Sequence, residues 1–255
     1  MKRIATLLIG LVMATTATAG VISLRAAEGT PIKAEQSGNG DRGVVLVHSQ
    51  GRDRSDWSSF AEKLSDNGFN VVALDLRGHG ESSGPEVLGE ADYAAMVQEV
   101  EAAAGYLRQK GAQSVTVIGA KLGASLALHA GAGTEDVSNV VMLSPGLNVL
   151  GLKVSRALTD YGAKPILLVA SDTDSGGSRA AEAIKQNALG DADFELLTDA
   201  GIGVRMLNRS PDLEGLIISW LSGTFKINKG EASSKEALQT GDVSALETTG
   251  LTLGQ

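Results

Sequence analysis

A doubly wound α/β domain on a mostly parallel sheet is the fold class this sequence predicts. Short runs rich in Val, Ile and Leu recur along it, nearly continuous in apolar residues, as suits parallel strands covered on both faces. Between them lie segments with apolar residues at helical spacing, so strand and helix alternate. Glycine supplies the turns that such alternation needs: 32 of 255 residues, about twice the usual ~7%.

The elements follow in order. The chain opens MKRIATLLIGLVMATTATAG, in which Lys2 and Arg3 precede an apolar run from Ile4 to Met13. Ala17-Thr18-Ala19 then forms an A-x-A cleavage signal, so residues 1–19 are expected to be a removable export signal. That run falls short of the ~20 residues a membrane span needs, and no stable span is expected after cleavage. Residues 20–42 are read as a lead-in, and the domain is expected over 43–225.

Strands are expected at Val44 to His48, Asn70 to Leu76, Ser114 to Gly119, Asn139 to Leu143, Pro165 to Ala170 and Phe194 to Leu197. Ser55 is placed to cap a helix carrying Trp57, Phe60 and Leu64 that stops at Gly68. Met96, Val100, Ala103 and Leu107 mark one face of a second helix, ending near Gly111. Ser210-Pro211 opens a last one, whose stripe is Leu213, Leu216, Ile217, Trp220 and Leu221. Residues 226–255 are polar and aperiodic, and are expected to form a disordered tail.

Composition narrows the function. Thirty acidic against 22 basic residues give a formal charge of −8, which disfavours a nucleic-acid partner. With no Cys there is no thiolate nucleophile, no disulfide and no cysteine zinc site, a composition that fits an oxidising compartment. No His, Asp and Glu set has metal-ligand spacing, and no G-x-G-x-x-G follows the first strand, so neither a metal nor another cofactor is expected. Only His48, His79 and His129 are available for proton transfer at neutral pH.

Doubly wound sheets bind ligands beyond the carboxyl ends of their strands. The residues that follow each run are therefore the candidates: His48-Ser49-Gln50-Gly51, Arg77-Gly78-His79-Gly80, Gly119 to Gly123, Ser144-Pro145-Gly146, Ser171 to Asp174, and Ala200 to Gly203.

Four of these segments, in order, resemble the α/β-hydrolase superfamily of esterases, lipases and serine aminopeptidases. GVVLVHSQGRDRSDW is similar to its first strand and oxyanion loop, and NVVALDLRGHGESSG to its next strand and RGHG turn. SVTVIGAKLGASLAL occupies the nucleophile-elbow segment, and PILLVASDTD the strand that presents the catalytic acid. The resemblance runs from about Gly43 to Phe225 and implies an α/β-hydrolase fold. The stretch from Ser144 to Lys164, where relatives carry a lid, is short, so a minimal lid and an open cleft are expected.

The resemblance also implies a triad. In a G-x-S-x-G elbow a strained corner lifts the nucleophile above the sheet, and the following amide joins one from the first loop as the oxyanion hole. Gly119 and Gly123 match the elbow glycines, Leu122 the amide after the nucleophile, and His48, Ser49 and Gln50 the oxyanion-like pocket wall. Asp174 matches the acid. Lys121 stands at the nucleophile position and Ile202 at the histidine position. Ser125, four residues beyond Lys121, reads as a helix-face serine, and His48 and His79 as loop architecture. His129 falls on the helix after the elbow, as packing or surface.

A serine without a base is a poor nucleophile, so the two losses are chemically consistent. Lys121 is expected to neutralise Asp174 as a buried ion pair. The chain then reads as an exported pseudo-hydrolase that binds a small ligand or a protein partner at the remnant cleft. The alternative is an active hydrolase of small ester or acyl substrates, with Lys121 as base to Ser49. A third reading places the function on the acidic surface or the tail.

Overall fold

The computed structural model describes residues 19–26 and 28–224; the expected tail and nearly all of the expected export signal lie outside them. Ten strands and seven helices follow one another among these residues. Two strands, β1 (Gly20–Arg25) and β2 (Pro31–Ser37), come first, and then β3 (Arg42–Val47). A 3-10 turn at Arg54–Trp57 leads into α1 (Ser58–Asp66), followed by β4 (Phe69–Leu74), α2 (Glu90–Gln109) and β5 (Ser114–Ala120). Next come α3 (Leu122–Gly133) and β6 (Asn139–Leu143), then the two-residue strands β7 (Asn148–Val149) and β8 (Leu152–Lys153), and α4 (Val154–Tyr161). β9 (Ile166–Ser171), α5 (Ser175–Asn187), β10 (Ala192–Leu197), α6 (Arg205–Arg209) and α7 (Leu213–Leu221) complete the domain.

Eight strands form one sheet in the order β1-β2-β4-β3-β5-β6-β9-β10. From β4 to β10 every neighbour is parallel, and at the other edge β2 runs antiparallel to both β4 and β1. Register keeps the carboxyl ends together: Val47 pairs with both Leu74 and Gly119, and Leu197 pairs with Ser171. The loops beyond these ends therefore share one rim, the one along which a ligand site belongs.

The apolar runs are buried as parallel strands require, with all six residues of β4 and of β9 inaccessible. One face packs on α2, α3, α4 and α5 through Met96, Val100, Leu126 and Ile184. The other packs on α1, α6 and α7 through Trp57, Phe60, Met206 and Ile217. Each fully buried aliphatic or aromatic side chain contributes roughly 1.5–3 kcal/mol of transfer free energy.

Two expectations change. Residues 20–42 are not a plain lead-in, because β1 and β2 extend the sheet; β1 pairs along its whole length with β2, from Gly20–Gln36 to Arg25–Pro31. The first helix is not capped by Ser55. Asp53 accepts the Ser55 amide at 2.8 Å to start the 3-10 turn, and the α-helix begins only at Ser58. The minimal lid is as expected: between β6 and β9 the chain makes only the β7–β8 hairpin and α4.

Candidate functional site

At the centre of the rim, β5 ends at Ala120 and α3 begins at Leu122, leaving Lys121 alone to make the corner. Its backbone lies at φ 54°, ψ −109°, a region that costs an L-residue roughly 1–3 kcal/mol. Close approach imposes the corner. A Cβ on Gly119 would come within 2.0 Å of the Gly123 carbonyl oxygen, and one on Gly123 within 2.2 Å of the Val47 oxygen. Both positions must be glycine for α3 to fold back against β3 and β5.

Lys121 donates its amide to the Leu143 carbonyl at 3.0 Å, which ties the corner to β6. Ala124 and Ser125 make the first helical bonds of α3, both to the Lys121 carbonyl, so the Leu122 and Gly123 amides lie ahead of them. This is the elbow architecture, with an ammonium where a hydroxyl would be. Among the described residues the half-buried Lys121 side chain meets no hydrogen-bond or ion-pair partner. Ser125 lies inside α3, wholly buried, with an unpartnered hydroxyl.

The expected Lys121–Asp174 ion pair is not formed. Asp174 instead caps α5, its Oδ1 accepting the Gly177 amide at 3.0 Å. A Cβ on Gly177 would fall 2.4 Å from Oδ2, so this carboxylate rests on the start of its own helix. The helix dipole and the cap bond give it an anchor without lysine. Oδ2 itself is buried and has no hydrogen-bond partner among the described residues.

Ile202 sits in the loop between β10 and α6, and at 43% exposure its apolar side chain stands open to solvent. Its neighbour Gly203 reaches the elbow: a Cβ there would lie 3.6 Å from Lys121 Cγ and 3.7 Å from Ser49 Oγ. The loop is fixed by three of the residues that follow strand ends, to which sequence reasoning assigned no role of their own. The Ser144 hydroxyl accepts the Gly203 amide at 2.8 Å, Ser171 Oγ the Ala200 amide at 3.0 Å, and Asp172 Oδ1 the Asp199 amide at 2.8 Å. Ser144 and Ser171 both follow strand ends, which was the available signal; their partners lie 59 and 29 residues away and leave no local pattern.

The loop after β3 forms the opposite wall. Ser49 donates its hydroxyl to the Ala120 carbonyl at 3.1 Å, and so spends its proton on backbone instead of on Lys121. Gln50 is exposed and donates its side-chain amide to the Tyr93 hydroxyl at 3.0 Å. His48 is wholly buried, so it braces the wall from behind and presents no edge to the pocket. Its Nδ1 donates to the Ser49 carbonyl at 2.7 Å, and its Nε2 accepts the Leu76 amide at 3.0 Å. Burial pushes its pKa down to about 4. His79 lies 5.0 Å away, ring to ring, and accepts the Gly51 amide on Nε2 at 3.1 Å.

The third histidine, His129, is half-buried on α3 with Nε2 unpartnered, and burial lowers its pKa. The RGHG loop is anchored through Arg77, whose guanidinium pairs with the fully buried Glu99 of α2 and with Glu28. Burial holds the Glu99 carboxyl above the usual range despite that partner. Two clefts open elsewhere. One of about 390 Å³ runs between β2 and α1 past Glu35, Arg54, Glu62 and Asp66, and one of about 190 Å³ lies beside His129 and Arg156. Neither is bordered by Lys121, Asp174 or Ile202.

Comparison with known proteins agrees with this geometry. A family model described as the alpha/beta hydrolase fold matches residues 43–161, which include the elbow. The dihydrolipoyllysine-residue acetyltransferase component of the acetoin cleaving system of Cupriavidus necator is 29% identical over 119 residues. That match covers 46% of this chain and only 30% of the relative's length. Among solved structures, an esterase of Pyrococcus furiosus superposes with a TM-score of 0.68 at 17% identity, covering 82% of this chain and 92% of the esterase. A dienelactone hydrolase of Anabaena variabilis gives a TM-score of 0.67 at 17% identity, covering 83% of this chain and 100% of that one. A carboxyl esterase of Bacillus coagulans gives 0.66 at 13%, with 82% and 99% covered. Strand order, a glycine-flanked elbow and these likenesses converge: this chain is an α/β-hydrolase-fold protein.

Proposed function

We propose that this chain is an exported, non-catalytic member of the hydrolase-fold proteins that binds a small ligand or a protein partner at the remnant cleft. The observation that carries the reading is the pairing of an intact, strained elbow with Lys121 at its corner and Ile202 beside it. An isoleucine cannot take up or deliver a proton. A lysine acylated by an ester would be trapped as an amide, which does not turn over. Maintaining φ 54° at a non-glycine corner costs stability, and retention of such a corner fits a surface kept for binding. Export rests on the A-x-A signal at residues 17–19, and β1 beginning at Gly20 is compatible with a mature chain that starts there.

The competing reading makes Lys121 a base to Ser49. Both side chains flank Gly203, which favours it, but Ser49 already donates to Ala120. Purified protein and a Lys121→Ala variant assayed on short-chain aryl esters separate the two readings. The expected outcome is no turnover above background in either protein. Turnover that disappears on Lys121→Ala would establish the lysine-based hydrolase and end the non-catalytic reading.

A further inference from the structure

His48 and His79 are joined in a way that loop architecture alone does not require. Each belongs to one loop of the rim and accepts a backbone amide of the other loop. His48, beyond β3, takes the Leu76 amide; His79, beyond β4, takes the Gly51 amide. On each ring Nδ1 donates to a carbonyl of its own loop, Ser49 for His48 and Arg77 for His79. Both imidazoles are therefore neutral Nδ1–H tautomers with the Nε2 lone pair turned toward an N–H. A proton on Nε2 would convert an acceptor into a donor that faces a donor, and both cross-loop bonds would be lost.

We propose that His48 and His79 form a reciprocal, proton-sensitive clasp that holds the Ser49–Gln50 wall of the candidate site in place at neutral pH and releases it in acid.

The surrounding charges are asymmetric. His48 faces His79, Asp75 at the start of the loop after β4, and Asp53 at the cap of the 3-10 turn. Asp75 is engaged by the Arg54 guanidinium and by the Arg54 and Glu81 amides. The Arg77 guanidinium, next along the second loop, is held by Glu99 of α2 and by Glu28. Tyr93 of α2 meets the first loop through Gln50. None of these groups supplies a carboxylate acceptor to either Nε2, so a protonated ring gains no new partner there. The sign follows from linkage. With its pKa lowered from 6.5 to about 4, His48 supports the folded loop fully above 6.5, and that support is lost as pH falls through 4. The site wall is thus ordered at neutral pH whether or not it turns over a substrate.

Hydrogen exchange followed amide by amide tests the clasp, with rates corrected for the intrinsic effect of pH. Between pH 7 and pH 4 the Gly51 and Leu76 amides should lose at least about tenfold in protection while β5 keeps its own. In the double variant His48→Gln, His79→Gln, whose side-chain carbonyls accept but do not titrate, both amides should stay protected at pH 4. If that variant fails to fold, imidazole nitrogen spectra of the unaltered protein serve instead. The His48 ring should pass from the Nδ1–H tautomer to imidazolium over the pH range in which the two amides open. Ring protonation without amide opening would overturn the proposal. So would opening that persists in that double variant, which would assign it to Asp53 or Asp75, or a simultaneous loss of protection across β5.

Discussion

Asp174 shows why a single matching residue is weak evidence for surviving chemistry. By resemblance it matches the position of a catalytic acid, yet it caps α5 through the Gly177 amide, and that role would keep a carboxylate or amide there without any triad. Two substitutions separate cap from acid. Asp174→Ala should lower stability by about 1 kcal/mol, the usual cost of losing an N-cap. Asp174→Asn should be as stable as the unaltered protein or more so, because asparagine caps equally well and removes the charge on a buried, unpartnered Oδ2. Urea unfolding curves compared at constant slope measure both. At this scale the sequence was legible where identity alone decides chemistry, at Lys121 and Ile202. It misled where geometry decides, since the cap bond from Asp174 to the Gly177 amide, made in place of a pair with Lys121, leaves no trace in residue order.

Among the strands, those covered on both faces announced themselves and the alternating pair at one edge did not. The central strands β3, β4, β5, β6 and β9 read as apolar runs because helices cover both sides. β1 and β2 escaped recognition because they alternate, as in PIKAEQS, where only Ile32 and Ala34 are buried. α5 opens Ser-Gly-Gly-Ser, a poor helical start by propensity, and the Asp174 cap overrides it. The β5–α3 corner was legible for the opposite reason, since its glycines answer a contact and not a preference. Gly123→Ala should therefore cost at least about 2 kcal/mol, because a methyl group there meets the Val47 carbonyl and neither β3 nor α3 has room to yield. Circular dichroism melting of that variant beside the unaltered protein checks it; an unchanged midpoint would mean that the corner is looser than its contacts require.

For the whole molecule, the sheet, the elbow and the first-loop wall form an α/β-hydrolase-fold scaffold, and the proposed reading is that two of its three reacting positions, those of Lys121 and Ile202, are substituted. The ordered loop at Ala200–Gly203, tied by Ser144, Ser171 and Asp172, keeps residue 202 beside the elbow even with no imidazole to present. Asp174 Oδ2 is a buried acceptor with no partner among the described residues. The most direct measurement restores the missing groups: the double substitution Lys121→Ser, Ile202→His, assayed on a short-chain aryl ester and with a fluorophosphonate that labels activated hydroxyls. The expected result is covalent labelling and turnover at least ~10²-fold above the unaltered protein, the scale of general-base assistance to a positioned hydroxyl. A double variant that folds yet neither labels nor turns over would contradict the claim that the catalytic geometry survives without its chemistry.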